Sequence, residues 1–287
     1  MPSTWGAVAR RGARQLSAPS SVGAYEDHRS IAAPPLPPTW VRDERPASTP
    51  AAPSVAPRGR PRAELPGDVV AAVRTAGSSL TNRGREHLVT LTAEAVEAYN
   101  RGRYEDAARW IRPVAEAAPA VAAIREVAGL ANYRAGKWRA ALVHLRAHAD
   151  LTGDVTHLPA AMDCERALGH PRKVGWIFDE VRAASPTTEV LSEARIVLAA
   201  SLSDRGKLDE AIAVLVASGA DKRVRNPAER HVRQWYVLAD LYERSGDVPR
   251  ARELFTRVAL ADPGAYDVDD RLEELGGRVG TARRRPR

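Results

Sequence analysis

The sequence predicts an all-α protein of about five helical hairpins, closed by a C-terminal capping helix and preceded by a long irregular leader. Three observations carry that expectation. Apolar residues recur at helical spacing from about residue 66 to residue 276, and no convincing alternating strand interrupts them. A glycine recurs at Gly102, Gly136, Gly169, Gly206 and Gly246, in steps of 34, 33, 37 and 40 residues. Proline, alanine and arginine fill the first 65 residues without any sustained apolar period.

The leader, residues 1–65, contains Pro34-Pro35-Leu36-Pro37-Pro38 and a Pro/Ala/Ser run from Pro46 to Pro61. Such a segment has too little apolar surface to offset the entropy of ordering, so disorder is expected, with the proline cluster as a stiff extended spacer. Arg10, Arg11 and Arg14 with no acid before Glu26 faintly resemble a transit peptide, but an ordinary disordered leader has the same composition. The continuous apolar core of a secretory signal is missing, as is the run of roughly 20 apolar residues that a membrane span needs. Trp5 and Trp40 are unusual in such a segment and are candidate contact points.

The net charge of +7 is unevenly placed. Residues 1–65 carry +4, and residues 277–287 carry +5 through Arg278, Arg283, Arg284, Arg285 and Arg287. That leaves −2 for residues 66–276, so the basicity belongs to the ends and the helical part is nearly neutral. A weak, salt-sensitive polyanion contact is the most that the arginine tails suggest. Cys164 is the only cysteine, which rules out an intrachain disulfide and a cysteine-based metal cluster and suits a reducing cytoplasm.

The helical part begins with a short helix in which Val69, Val70 and Val73 follow Asp68, a suitable N-cap. Hairpins then follow near 88–121, 122–154, 155–188, 192–225 and 232–265, with a cap over 266–276 and the basic tail over 277–287. Within each hairpin the residues after the glycine repeat in kind. Two positions on stand Tyr104, Trp138, Pro171, Leu208 and Val248; five on stand Ala107, Ala141, Val174, Ala211 and Ala251. Nine on stand Ile111, Leu145, Phe178, Leu215 and Phe255. Pro119, Pro186 and Pro263 end three of the second helices. The third unit departs from the pattern at Met162 and Pro171, and the longer steps imply longer loops near 187–191 and 219–231.

The fifth unit carries Trp235, Leu238, Ala239, Tyr242, Ala251, Phe255 and Pro263. It resembles the tetratricopeptide repeat signature position for position, with alanine for the usual small glycine. The resemblance covers about 88–276 and extends to actinobacterial tetratricopeptide proteins, in keeping with a chain whose only lysines are Lys137, Lys173, Lys207 and Lys222. It implies a right-handed α-solenoid whose first helices line a concave groove that binds a protein or peptide.

Carried over by position, the groove residues are Val96, Tyr99 and Asn100 in the first unit and Glu126, Leu130, Tyr133 and Arg134 in the second. The third offers Asp163 and Arg166, and the fifth Arg233, Tyr236, Asp240 and Arg244. The expectation is that Tyr99 and Tyr133 stand side by side, exposed next to arginines; the competing one is that the tyrosines fill seams between repeats. Thr92 and Val96 occupy the leading positions of the family's Lys/Asn carboxylate clamp, which disfavours capture of a C-terminal tail.

No Walker loop, dinucleotide turn or nucleophile elbow is present, so no catalytic or cofactor residues are assigned. His144 and His148 share a helix face but lack further ligands, so no metal is assigned either. The expected function is a cytoplasmic, non-catalytic adaptor or scaffold. The alternatives are a peptide-sensing regulator and an accessory subunit of an enzyme complex.

Overall fold

A computed structural model of the chain describes residues 63–263 and 265–276. The earlier residues of the leader and the tail from 277, with the readings of disorder, proline spacer, transit peptide and polyanion contact that fall on them, lie outside the described residues. Twelve helices and no strand are present among the described residues. They are α1 (Gly67–Ala76), α2 (Asn82–Asn100), α3 (Tyr104–Ala117), α4 (Ala122–Arg134), α5 (Trp138–Thr152) and α6 (Leu158–Ala167). After these come α7 (Pro171–Ala183), α8 (Thr188–Ser203), α9 (Leu208–Val216), α10 (Glu229–Arg244), α11 (Val248–Ala261) and α12 (Val268–Glu274). No helix among the described residues is long and apolar enough to cross a membrane.

The chain divides into two compact units, and the division falls inside α7, after Lys173. In the first unit α1 starts at Gly67 behind Pro66, not behind Asp68. Asp68 lies within the first turn, where its charge favours the positive end of the helix dipole. Ala63 and Leu65, expected to belong to the leader, pack half-buried against the core made by α1 to α4. Helix α2 starts several residues before the expected hairpin boundary because the Thr81 hydroxyl accepts the Gly84 N–H at 3.2 Å, a side-chain cap. The core itself is Val69 and Val73 of α1, Leu88 and Val96 of α2, Ile111 and Val114 of α3, and Ile124 and Val127 of α4.

The five repeated glycines all have positive φ, from +72° to +86°, at the turn between two helices. In each case the amide of the next residue reaches the carbonyl five residues back, as in Arg103 to Ala98 at 2.8 Å and Asp247 to Tyr242 at 2.8 Å. That bond satisfies a carbonyl the first helix would otherwise leave open, and glycine takes the left-handed conformation without a Cβ penalty.

The small residues then set how closely the helices approach. Ala107, Ala141, Ala211 and Ala251 have no exposed surface, and neither have Ala95, Ala199 and Ala239, seven positions before the turn glycine. Gly129 holds that same position on α4, where an added Cβ would come within 2.6 Å of Leu145 Cδ2 and 3.1 Å of the Leu145 backbone nitrogen. Only a hydrogen allows α4 to lie this close to α5.

The third pair, α6 and α7, differs. Met162 and Val174 occupy the two small positions, both fully buried. Phe178, expected to be a large seam residue, is only half-buried; Ile177 beside it is buried and Trp176 is 68% exposed. Pro171 is the first residue of α7, where its missing N–H would have had no helical partner. The division between the two units falls within this pair.

In the second unit the expected loop near 187–191 is the first turn of α8. The Thr187 hydroxyl accepts the Val190 N–H and caps it, and the additional residues extend α8 to 16, against 13 in α4. The other expected long loop is present between Val216 and Glu229. Leu215, Trp235, Leu238, Leu241, Phe255 and Val258 form the centre of this core, and Val268 and Leu272 of α12 are buried against it. Asp269, Asp270, Glu273 and Glu274 of α12 face outward, the polar side that a terminating helix needs.

Candidate partner-binding face

The sequence-expected groove residues lie on α2, α4, α6 and α10, and most of them are buried. Tyr99, Tyr133 and Tyr236 expose only 9%, 1% and 4% of their surface, which fits the reading of packed seam tyrosines and not that of open recognition side chains. The reason is geometric: the inward side chains of a first helix are covered by neighbouring elements of the same unit, as Tyr133 is by α6 and Tyr236 by the segment before α12.

In the first unit the Tyr133 hydroxyl donates to Asp163 Oδ2 at 2.6 Å, and Arg166 Nε donates to Asp163 Oδ1 at 2.8 Å. Burial, reinforced by the Asp163 carboxylate, pushes the Tyr133 phenol well above its ordinary range, so it stays a donor. Glu126 meets His157 Nε2 at 2.8 Å, and both are buried. Arg134 donates to the Tyr104 hydroxyl at 3.0 Å and lies 4.7 Å from the centre of that ring. Val96 and Leu130 are core residues. The rings of Tyr99 and Tyr133 pack edge-on against Tyr104 and Trp138, respectively, at 5.4 and 5.6 Å. Tyr99 is the exception among the three tyrosines: its buried hydroxyl has no hydrogen-bond partner among the described residues.

The second unit uses other partners for the same positions. Tyr236 donates to Asp267, and its ring lies 4.3 Å from that of Tyr266. Asp240 accepts from Arg271 Nη2 at 2.8 Å, and the same guanidinium binds Glu243 at 2.6 Å. Arg233 Nε lies 2.8 Å from Glu193, whose carboxyl burial pushes upward despite that attraction. Arg244 approaches Asp240 at 3.7 Å.

A regular separation underlies these contacts. Tyr104/Arg134 and Tyr133/Asp163 are 30 residues apart; Glu126/His157, Tyr236/Asp267 and Asp240/Arg271 are 31 apart. Each therefore joins positions about one repeat apart. Sequence reasoning missed Tyr104, His157, Asp267 and Arg271 as partners, although the 30–31 residue offset was a readable signal, and it missed Glu193, which lies 40 residues before Arg233 and outside that offset. What remains accessible is the rim at the ends of the first helices: Asn100 is exposed, and Arg134, Arg166 and Arg244 are half-buried.

His148 is buried with its ring 5.3 Å from that of His157, and burial beside His157 lowers its pKa from the ordinary histidine value. His144 lies 3.0 Å from Arg125 and is lowered by burial and by that cation. Cys164 is fully buried, and burial raises its thiol well above the ordinary range, which keeps it protonated and unreactive. Among the described residues no group of three or more His, Cys, Asp or Glu side chains is placed to hold a metal. No family model matches the chain, and no curated protein matches it at a significant level.

Proposed function

We propose that the chain is a non-catalytic protein-interaction adaptor of the tetratricopeptide type, which holds a segment of a partner protein along the first helices of its hairpins. The observation that supports this reading is the recurring hairpin itself: five left-handed glycine turns, each followed five residues on by a fully buried alanine or valine. Polar pairs about one repeat apart then fix α4 to α6 in the first unit and α10 to the terminal helix α12 in the second. Such pairs use up the inner side chains for rigidity and leave Asn100 and Arg134 at the rim of the first unit, and Arg244 at that of the second, to meet a partner. A rigid scaffold lowers the ordering cost of association, so a few rim arginines suffice for recognition.

The test is affinity capture with the full chain against the same chain carrying Asn100→Ala, Arg134→Ala and Arg244→Ala. A protein retained by the native chain and lost by the still-helical variant supports the reading. Equal retention by both moves recognition away from the first helices.

A further inference from the structure

A second surface lies wholly within the second unit, on the opposite helix of its last hairpin. An open cleft of about 650 Å³ runs between the segment after α9 and helices α10 and α11. Its floor is Trp235, buried to 3% exposure, with the Arg257 guanidinium 6.0 Å from the ring centre. Arg257 donates to the Asp221 carbonyl at 2.6 Å and to Glu253 at 2.8 Å, and Arg223 donates to the same Glu253 at 3.1 Å. Two cations thus neutralise the only carboxylate lining the cleft, and hydrogen bonds from them hold its pKa below the ordinary value.

Arg225 and Arg252, both exposed, line the same cleft and have no carboxylate partner among the described residues. The lining therefore holds four arginines against one glutamate. Pro249 and Leu260, at opposite ends of α11, add apolar surface to the lining, and Leu260 is 77% exposed. We propose that this cleft docks an acidic peptide segment of another protein, with carboxylates on Arg225 and Arg252 and an apolar side chain against Leu260.

Both the charge and the apolar wall narrow the choice of occupant. Residues 1–65 carry +4 and residues 277–287 carry +5, so neither segment complements a basic cleft, whereas an acidic segment of another protein does. A single-stranded nucleic acid would need an open aromatic face for base stacking, and Trp235 is covered. Apart from its floor, Trp235 of α10, the cleft is lined by α11 and the segment after α9, and it includes none of Asn100, Arg134 and Arg244, so this proposal stands or falls independently of the adaptor reading.

Fluorescence anisotropy with the full chain tests it, using a labelled oligopeptide of glutamates around a central leucine pair. Binding that weakens with salt is expected. Arg225→Glu with Arg252→Glu should weaken it about tenfold or more while leaving the circular dichroism unchanged. Leu260→Ser should weaken it about fivefold relative to a leucine-free polyglutamate probe. The proposal is overturned if the native chain does not bind the probe. It is also overturned if the double variant binds equally well, which would assign binding to the arginine tails. Tighter binding of a single-stranded oligonucleotide, lost in the same variant, would overturn it in favour of nucleic acid.

Discussion

On α4 the buried carboxylate Glu126 meets His157, whereas on α10 the buried carboxylate Asp240 meets Arg271. The helices hold equivalent places in their hairpins, and in both a residue 31 positions on supplies the partner. The difference lies in how many groups that partner can hold. The Arg271 guanidinium keeps its charge at every pH a protein meets and binds both Asp240 and Glu243, while the His157 ring meets Glu126 through one nitrogen, Nε2. The second unit is therefore tied to its last helix by one permanent cation shared between two carboxylates, and the first by separate pairs, Glu126 with His157 and Tyr133 with Asp163.

The largest effect is expected from removing the permanent charge. Arg271→Ala leaves Asp240 buried without its main cation and Glu243 without its closest one. Chemical denaturation should show a loss of about 3–5 kcal/mol for the second unit, the usual cost of breaking a buried pair from one side. Next comes the spacing that both units share. Ala251→Trp forces a large ring into a fully buried alanine position and should cost about 1–3 kcal/mol in the same unit.

Tyr133→Phe removes a buried donor from Asp163 and should cost about 1–2 kcal/mol in the first unit. The pH response sharpens the comparison further. His148 has a lowered pKa in the folded chain, so the folded state holds fewer protons than the unfolded one through the histidine range. Its contribution is present above the ordinary histidine pKa and is lost as pH falls through the depressed folded value. Thermal melts should thus show the first unit weakening on acidification, with a smaller slope in a His148→Leu variant. The smallest effect is expected at Tyr99→Phe, within about 0.5 kcal/mol of native, because the hydroxyl it removes has no partner among the described residues.

These contrasts mark what could be read from residues alone. Left-handed glycines, the small positions and the outward acids of α12 are local features, set by backbone conformation or by helical period, and the sequence places them directly. The period puts Tyr133 and Tyr236 on α4 and α10 but leaves two readings for each, open on the groove or packed in a seam. A helical period gives the direction of a side chain about its own axis, not what covers it, and here the cover comes from residues 30–31 positions away. The longer step between glycines does not say whether added residues lengthen a helix or a turn; at the start of α8 the Thr187 cap makes them helix, where a loop is expected from the step alone. Asp68 was expected as a cap for a similar reason: one residue type serves both the cap and the first turn.

The central claim is that partners are met along the first helices. Site-specific photo-crosslinking in the full chain tests it most directly, with a benzophenone amino acid placed at Asn100 on α2 or at Val143 on α5. Both positions are exposed, the second at 62%. The account predicts a discrete protein adduct from position 100 and none from position 143. An adduct confined to position 143 would contradict it.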